Sequence, residues 1–414
     1  MKRSQLKESL PIFLVLFLGY FGYGMGLPIY PPLLFDPELG MLPHTQSLWE
    51  RNILMGLLTA MYPLGQIIGG PLLGRLSDQY GRRKLLLYSV ALVIPTYILS
   101  AIAINLSSVG LFFFSRWICG LFEGIIVIAT AAMADISCSH KDKVSNFGWI
   151  VTVSGSGVIF GPLIGGFLAD STVISWFNFA TPFYLAAIFT FICFFLVYWL
   201  FEESLKKNIT GKLKPKEFFA SLFSCIRVSD LQLVYFANFK YYLCIFFFLS
   251  FFPVLLVQLF GFSAASLGLF EGYLSIPICI SPFFYRFLSR YLSPRQTAAV
   301  GGVVFFLSII LILLIDSPGW LYFTLIPPGF AIAIGFSYTV LMISDRVGEN
   351  IQGAALGTNQ SVLVAAEALA GIFGGVLSGA WVKLPLIVGG VLALSAAFWL
   401  LWRVLDPPSS TADI

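Results

Sequence analysis

The sequence predicts an all-helical, polytopic membrane protein with twelve transmembrane helices in two pseudo-symmetric six-helix bundles. Three observations predict this fold class. The 414 residues are 58% hydrophobic and only 11% charged, against about 25% charged residues in an ordinary soluble domain. Apolar runs long enough to cross the hydrocarbon layer recur along the whole chain. Lysine and arginine collect in alternate connecting segments, as they do in membrane proteins of defined orientation.

Twelve apolar runs are predicted to be spans, because each is at least about 18 residues long. The first run follows basic residues, as the core of a signal sequence would. It contains Pro28, Pro31 and Pro32, however, where a cleavage site would need small residues, so we expect it to be retained as the first span. The predicted spans are 11–35, 52–74, 85–105, 110–137, 144–170, 178–201, 231–257, 264–289, 296–316, 319–343, 352–378 and 384–405.

The basic residues predict the orientation. If the N-terminus lies in the cytoplasm, only Arg51 and Lys383 of the 24 lysines and arginines fall in outer loops. Cytoplasmic loops carry the excess of positive charge in such proteins, so both termini are predicted to be cytoplasmic. The net charge of +4 follows from this topology, and it gives no reason to expect nucleic acid as a partner.

A polar stretch after the sixth span divides the chain nearly in half. The segment 202–229, which begins EESLKKNITGKLKPKE, is predicted to be a cytoplasmic linker between an N-terminal bundle, 1–201, and a C-terminal bundle, 230–414. A weak repeat supports this division, because FGPLIGGFLAD at 160–170 aligns with LAGIFGGVLSG at 369–379. Two six-span halves of this kind are typical of secondary transporters.

The loop between the second and third spans, GRLSDQYGRRK at 74–84, holds one acid, four bases and two glycines. Bases in a tight cytoplasmic loop anchor topology, but an anchor requires neither the acid nor the glycines. Glycine permits a turn where helices nearly touch, and the carboxylate can accept hydrogen bonds from neighbouring arginines. Two interpretations of this loop therefore remain: it anchors the topology, or it acts as a latch between conformations. The latch would consist of Gly74, Asp78, Gly81, Arg82 and Arg83.

The fifth span contains the glycine-rich segment SGSGVIFGPLIGGFLAD at 154–170. Small residues four positions apart let neighbouring helices approach closely, and a proline frees a backbone carbonyl and weakens the helix. We therefore expect close helix packing along this segment. The packing motif comprises Gly157, Gly161, Pro162, Gly165 and Gly166.

Charged side chains also lie well inside predicted spans, where each costs roughly 2.5–3.5 kcal/mol or more if it faces lipid. Arg116 and Glu123 in the fourth span point the same way, with Arg116 about 10 Å nearer the outside. Their pattern fits either a structural ion pair or a reversible proton carrier, since a partly dry cavity favours a protonated carboxyl. Lys240 could pair with an acid or meet an anionic group of a substrate. The proton-coupling candidates are Glu123, Arg116, Glu271 and Glu367.

Three segments resemble signature motifs of the major facilitator superfamily. GRLSDQYGRRK at 74–84 resembles its loop between spans 2 and 3, and RWICGLFEG at 116–124 resembles the fourth-span motif of its proton-driven members. SGSGVIFGPLIGGFLAD at 154–170 resembles the fifth-span motif of its drug/proton antiporters, and the run FGWIVTVSGSGVIFGPLIGGF is similar to tetracycline-efflux carriers. The resemblance covers the whole chain, and it implies the major facilitator fold in a bacterial inner membrane.

The resemblance also implies roles for individual residues. The family's acid at the position of Asp78 lies by the start of span 11, where a helix N-terminus favours negative charge, so the latch would join the two halves. The fifth-span motif would seal the external side during efflux. Spans 1, 4, 7 and 10 line the family's central path, and tyrosine offers an apolar face and a hydroxyl. The expected substrate cavity comprises Tyr20, Tyr23, Glu123, Lys240 and Tyr241.

These patterns predict a proton-coupled secondary transporter that moves a small amphipathic molecule by alternating access. Its partners would be the substrate, protons and the lipid bilayer, and it would work as a monomer, most simply as an efflux antiporter. A proton-coupled uptake carrier for a nutrient or metabolite and a non-transporting substrate sensor are the alternatives. We expect no enzyme activity, metal or cofactor, because the two histidines and six cysteines show no metal-ligand spacing or nucleophile–base pattern.

Overall fold

The computed structural model describes residues 3–137, 140–205, 229–288, 290–315, 317–347 and 349–404. All regular secondary structure in these ranges is helical. Twelve segments are long and apolar enough to cross a membrane, which confirms the predicted all-helical fold and its number of spans. In order, they are Ser9–Phe35, Leu48–Tyr80, Arg82–Asn105, Val109–Ile136, Gly148–Leu168, Thr181–Leu200, Leu231–Phe260, Ala264–Ser281, Pro294–Leu313, Pro318–Ser344, Ala355–Ala380 and Leu384–Arg403.

Fifteen helices form these spans within the described ranges. Spans 1, 4 and 10 each consist of two helices, and each of the other spans is a single helix. The helices are α1 (Arg3–Gly26), α2 (Tyr30–Phe35), α3 (Leu48–Tyr80), α4 (Arg82–Asn105), α5 (Val109–Phe122), α6 (Ile125–Ile136), α7 (His140–Leu168), α8 (Thr181–Leu200), α9 (Ser229–Phe260), α10 (Ala264–Leu288), α11 (Pro294–Leu313), α12 (Pro318–Thr324), α13 (Ile326–Ser344), α14 (Glu349–Ala380) and α15 (Leu384–Arg403).

The middle of span 4 is interrupted between α5 and α6, at Glu123 and Gly124. The N–H of Ile126 donates to the carbonyl of Glu123 at 3.3 Å, and the N–H of Val127 donates to the carbonyl of Gly124 at 3.1 Å. These hydrogen bonds join residues three positions apart, so the turn is tighter than a turn of α-helix. Such turns inside helices often mark functional hinges. The fourth span, predicted over 110–137, is therefore present but consists of two helices that meet at Glu123.

Span 2 packs against this interruption so closely that side chains would not fit. A Cβ on Gly124 would lie 2.8 Å from the carbonyl oxygen of Gly69, and a Cβ on Gly69 would collide with the backbone of Leu121. Just beyond the break, Ile125 and Ile128 enter an apolar cluster with Leu16 of span 1. Glycine contacts and this cluster together hold the broken segment of span 4 in place.

Contacts between Cα atoms divide the chain into two compact units. The first comprises Met1–Lys212, Pro253–Ser275 and Gly371–Ala380, and the second comprises Leu213–Phe252, Ile276–Ala370 and Trp381–Ile414. The first unit therefore includes short stretches of spans 7, 8 and 11 in addition to the first six spans. The second unit has its own apolar core, which includes Leu231, Ala298, Ile343 and Leu400. The predicted linker at 202–229 lies for the most part outside the described residues.

Candidate functional site

Glu123 lies in the interior of the first unit, where it is 1% exposed. The Tyr97 hydroxyl of span 3 lies 3.5 Å from its Oε1 and can donate to it. The Cys119 thiol, one turn earlier in span 4, lies 3.9 Å from Oε2, and the Tyr62 side chain of span 2 also contacts this carboxyl. Glu123 is thus held by weak, neutral donors from three spans.

A small cavity adjoins the Glu123 carboxyl, and it is large enough for about one water molecule. Spans 1, 3, 4 and 6 enclose it. Its polar lining comes from Tyr97, Glu123, Thr190 and Cys193, and its apolar lining comes from Val15, Leu18, Gly19, Val90, Val93 and Ile125. A water molecule in this position could exchange a proton with the carboxyl.

Arg116 is 2% exposed, and aromatic rings enclose it instead of carboxylates. Its Cζ lies 4.9 Å from the ring centroid of Phe183, 5.3 Å from that of Tyr97 and 6.0 Å from that of Phe112. Its Nη2 donates to the Ser100 hydroxyl at 2.6 Å. Ring faces attract a cation, so this cage stabilises the guanidinium without neutralising it.

Arg116 and Glu123 do not form an ion pair among the described side chains. Tyr97 links the two residues, because its ring lies beside the guanidinium and its hydroxyl lies beside the carboxyl. A nearby cation favours an ionised carboxylate, whereas burial favours the protonated acid. The arrangement can therefore hold a carboxyl whose protonation responds to small changes around it.

The sequence reasoning singled out neither Tyr62 nor Tyr97, although both touch Glu123. The ring of Tyr62 lies 4.9 Å from that of Tyr23, so one of the expected cavity tyrosines reaches the site through a second tyrosine. Tyr20 lies towards span 5, because a Cβ on Gly157 would meet its Cβ at 3.1 Å. A tyrosine in the middle of an apolar span was the available signal.

The other proposed carboxyls have different surroundings. Both carboxyl oxygens of Glu271 in span 8 are buried, and neither accepts a hydrogen bond from any described residue. An unsatisfied buried carboxylate is costly, so this group is a second candidate to carry a proton. Glu367 in span 11 is buried, at 9% exposed, and lies in the second unit.

Lys240 and Tyr241 lie in the second unit and contact other helices. The ammonium of Lys240 lies 4.6 Å from the ring centroid of Phe236 and 5.0 Å from that of Trp399 in span 12. Tyr241 is fully buried, and its hydroxyl donates to the carbonyl of Ala331 in span 10 at 3.2 Å. In the structure, these two side chains pack against neighbouring spans of their own unit.

A buried polar network in the second unit escaped the sequence reasoning. Asn238 of span 7 donates to Asn359 of span 11 at 2.8 Å, and Asn359 donates to the Tyr242 hydroxyl at 2.8 Å. The Tyr242 hydroxyl also shares a hydrogen bond of 2.8 Å with Thr339 of span 10. Two asparagines in long apolar runs were the only sign of this network. Partners in distant spans bond both side chains, although no described residue donates to the buried Oδ1 of Asn238.

The loop between spans 2 and 3 holds a compact charged cluster. Asp78 pairs with Arg82 at 2.6 Å, and Asp135 at the end of span 4 pairs with Arg82 at 3.0 Å. Asp135 therefore belongs to the same cluster as the proposed latch.

Glu203 completes this cluster from the end of span 6, and the sequence reasoning missed it. Its carboxylate accepts from the backbone N–H groups of Arg82 at 2.8 Å and Arg83 at 3.1 Å, which caps the N-terminus of α4. Gly81 has φ +99°, and a Cβ on it would collide with Glu203. Gly74 faces span 4, since its Cβ would lie 3.1 Å from Val127.

The fifth-span motif makes backbone-to-backbone approaches to span 1. Cβ atoms on Gly157 and Gly161 would each lie 2.7 Å from carbonyl oxygens of span 1, and one on Gly165 would collide with Met25. In the other direction, a Cβ added to Gly24 of span 1 would lie 2.9 Å from the ring of Pro162 in span 5. Span 5 also meets span 8 within the first unit, because a Cβ on Gly166 would lie 2.9 Å from the Cα of Gly268.

Asn52 connects three spans within the first unit, and the sequence did not predict this role. Its Oδ1 accepts from Ser378 of span 11 at 2.6 Å and from Gln258 of span 7 at 3.1 Å. One turn further along span 2, a Cβ on Gly56 would lie 2.6 Å from the Cα of Gly375. The backbones of spans 2 and 11 are therefore in contact beside a buried cluster of hydrogen-bonded polar side chains.

The family model described as the Major Facilitator Superfamily matches residues 12–281 and 234–414. The chain belongs to the major facilitator superfamily. Solved members share the fold: the D-xylose–proton symporter superimposes with a TM-score of 0.76 at 18% identity, over 96% of this chain and 98% of that one. The human organic anion transporter MFSD10 gives a TM-score of 0.70 at 20% identity, over 96% and 99% of the two chains.

Relatives within the superfamily include two kinds of resistance protein. The chain is 26% identical to the quinolone resistance protein NorA of Staphylococcus aureus, over 92% of each chain. It is 32% identical to the class H tetracycline resistance protein of Pasteurella multocida over 49% of this chain. That alignment spans 46% of the relative, or about half its length. This superfamily member is a multi-pass integral membrane protein.

Proposed function

We propose that the protein is a proton-coupled efflux antiporter that exports a small amphipathic molecule by alternating access. It works as a monomer in a bacterial inner membrane, with both termini in the cytoplasm. The names of its relatives support efflux, because they are tetracycline and quinolone resistance proteins. The distribution of lysine and arginine supports the orientation.

The observation that carries the proposal is the environment of Glu123. Its carboxyl is buried beside a cavity for about one water molecule, within reach of the Tyr97 hydroxyl. It also sits at the only interruption of span 4 in the described chain. A titratable group at a break in a helix couples its charge to the conformation of that helix, because each state of the turn solvates the carboxylate differently.

The exchange reaction requires only that proton and substrate compete for this carboxyl. Ionised Glu123 holds a donor or a positive group of the substrate, and protonation releases that group. Inward movement of one proton across about 100 mV supplies roughly 2.3 kcal/mol. One or two protons therefore suffice for a useful concentration ratio.

The test is transport of tetracycline and of a quinolone in proteoliposomes, with and without an imposed pH gradient. We expect Glu123→Gln to abolish accumulation driven by the gradient while some substrate binding remains. Glu38→Gln, which changes an exposed loop acid, should behave like the parent. A Glu123→Gln protein that responds normally to the gradient would show that the proton is carried elsewhere, and Glu367 and Glu271 would be tested next.

Two further measurements test direction and orientation. Counterflow in oriented vesicles separates export from uptake, and net proton-driven uptake would assign the protein to the symporters. In a background without native cysteines, an impermeant thiol reagent should label single cysteines at 36–50 from outside and should not label those at 204–216. Labelling of both segments from one side would contradict the proposed topology.

A further inference from the structure

The second unit carries a groove whose walls include none of the residues that we assign to proton exchange around Glu123. It has a volume of about 530 Å³, within the range of small-molecule sites. The walls come from the first turns of span 7 and from facing positions of spans 11 and 12. They comprise Gln232, Leu233, Tyr235, Phe236, Phe239, Val362 and Trp399.

Two cations flank this groove and share one of its rings. The Lys240 ammonium lies 5.0 Å from the Trp399 ring centroid, and the Arg403 guanidinium lies 5.9 Å from the same ring. Arg403 also lies 4.2 Å from the ring of Trp402. No ion pair joins either cation to a side chain in the described part of the chain.

The direction of the helices places both charges towards one membrane surface. Side chains lean towards the N-terminus of their helix, and the Lys240 ammonium accordingly lies over Phe236, one turn nearer the start of span 7. Arg403 is the last residue of span 12, which runs the opposite way. Trp399 and Trp402 have the amphipathic rings that favour the membrane interface.

The groove opens onto an exposed surface although it belongs to membrane spans. Phe236 of its wall is 45% exposed, and Trp402 near the groove is 62% exposed, so lipid is the natural neighbour of this surface. Basic pockets between transmembrane helices on the cytoplasmic side bind acidic lipid head groups. A zwitterionic phospholipid carries its own cation next to the phosphate, which repels Lys240 and Arg403, whereas an acidic phospholipid supplies an uncompensated negative charge together with apolar contact.

We propose that this groove binds one anionic phospholipid, with its phosphate paired to Lys240 and Arg403 and its apolar part against Phe236, Phe239 and Val362. By the charge rule, this lipid belongs to the cytoplasmic leaflet. The site lies in the second unit and does not contain Glu123. Its existence therefore does not depend on the direction or the proton coupling of transport.

The experiment uses the purified, delipidated full chain in detergent. Phosphatidylglycerol and phosphatidylcholine with the same acyl chains are added separately, and native mass spectrometry counts bound lipid while thermal unfolding reports stabilisation. We expect at least a tenfold preference for phosphatidylglycerol and a rise in melting temperature with that lipid alone, because a ligand that binds only the folded state stabilises it.

The variants assign the preference to the two cations. Lys240→Gln and Arg403→Gln should each reduce it several-fold, and the double variant should abolish it. Lys383→Gln is the matched control, because it removes one positive charge at the opposite end of span 12 and should leave the preference unchanged. Lys240→Arg and Arg403→Lys keep the charge and should retain binding, which separates loss of the site from misfolding.

Three results would overturn the proposal. Equal binding of the two lipids by the parent protein would show that the cations do not select an acidic head group. An unchanged preference in the double variant would place the lipid elsewhere. Saturation of the site by millimolar glycerol phosphate, with loss of bound phosphatidylglycerol, would show that the groove recognises soluble phosphate esters rather than a membrane lipid.

Discussion

Arg82 and Asp135 are 53 positions apart in the sequence, yet the Nε of Arg82 lies 3.0 Å from the Oδ2 of Asp135. The same guanidinium lies 2.6 Å from the Oδ1 of Asp78 and donates to the Ser77 hydroxyl at 2.6 Å. One arginine therefore ties together the ends of spans 2, 3 and 4. A cluster that depends on one side chain can respond as a unit when these helices move.

Asp78→Asn should leave the protein folded and inserted but slow its transport. The pair is partly exposed, with Asp78 33% accessible, so its loss is worth about 1 kcal/mol or less. That energy changes the ratio of inward- to outward-facing states by up to about fivefold. Flux and side-specific cysteine labelling measure the change, with the exposed Glu202→Gln as the control. Unchanged flux and labelling would identify Asp78 as an ordinary solvated charge.

Glu203→Ala should lower the stability of the protein by roughly 0.5–2 kcal/mol, the usual cost of losing a helix cap. The Glu203 carboxylate accepts from two backbone N–H groups at the start of α4. Its neighbour Glu202 is exposed, so Glu202→Ala is the matched control. Thermal unfolding in detergent measures both variants. Equal melting temperatures would mean that water replaces the cap without loss.

Tyr97→Phe should displace the pH dependence of transport while preserving packing. The hydroxyl lies 3.5 Å from Glu123, and removal of a donor to a carboxylate favours its protonated form. Half-maximal transport should therefore move to higher pH. Tyr88→Phe changes an exposed tyrosine of the same helix and should have no effect. Identical profiles for the parent and both variants would exclude Tyr97 from proton coupling.

Asn52→Leu should loosen the contact of span 2 with spans 7 and 11. The substitution leaves the Ser378 hydroxyl and the Gln258 amide without their acceptor, at a cost of about 1–3 kcal/mol for each buried group that stays unpaired. A cysteine in place of the buried Met55 should then react faster with an impermeant thiol reagent added outside. Asn105→Leu, at an exposed position, is the control. A labelling rate equal to the parent's would show that Asn52 does not hold span 2 against spans 7 and 11.

Asp170 should contribute pH-dependent stability. Burial raises its pKa, but hydrogen bonds from Thr172, Ser263 and the backbone outweigh burial and hold the pKa below its ordinary value. A carboxyl whose pKa is lower in the folded state than in the unfolded state stabilises the fold at every pH above its ordinary pKa. This contribution is lost as pH falls through the pKa of the folded state. Asp170→Asn should therefore melt below the parent at about pH 7, and the difference should shrink as pH falls below about 4.

The Thr172 hydroxyl donates to Asp170 at 2.6 Å, which provides an internal check on the same interaction. The losses of stability caused by Thr172→Val and Asp170→Asn should be less than additive in the double variant, because both substitutions remove the same interaction. Additive losses, or a difference between parent and Asp170→Asn that persists in acid, would attribute the effect to packing.

The sequence alone determined the features that depend on local composition. The number of spans followed from the lengths of the apolar runs, and the family followed from three segments whose residues lie in consecutive order. The same reasoning brought Arg116 and Glu123 to attention, because a charge inside a span is costly wherever its partners are. These properties depend on residues that are neighbours in the sequence, so they can be predicted without knowing how the helices pack.

Only the tertiary structure decided which side chains meet. Tyr97 beside Glu123, Glu203 on the backbone of Arg82, and Lys240 over Trp399 all join residues far apart in the sequence. Such contacts depend on the rotation and register of packed helices. Apolar spans leave these undetermined, because their residues are hydrophobic on every side. Glycine contacts between backbones set them in the folded chain, and a single sequence does not reveal which glycines face each other.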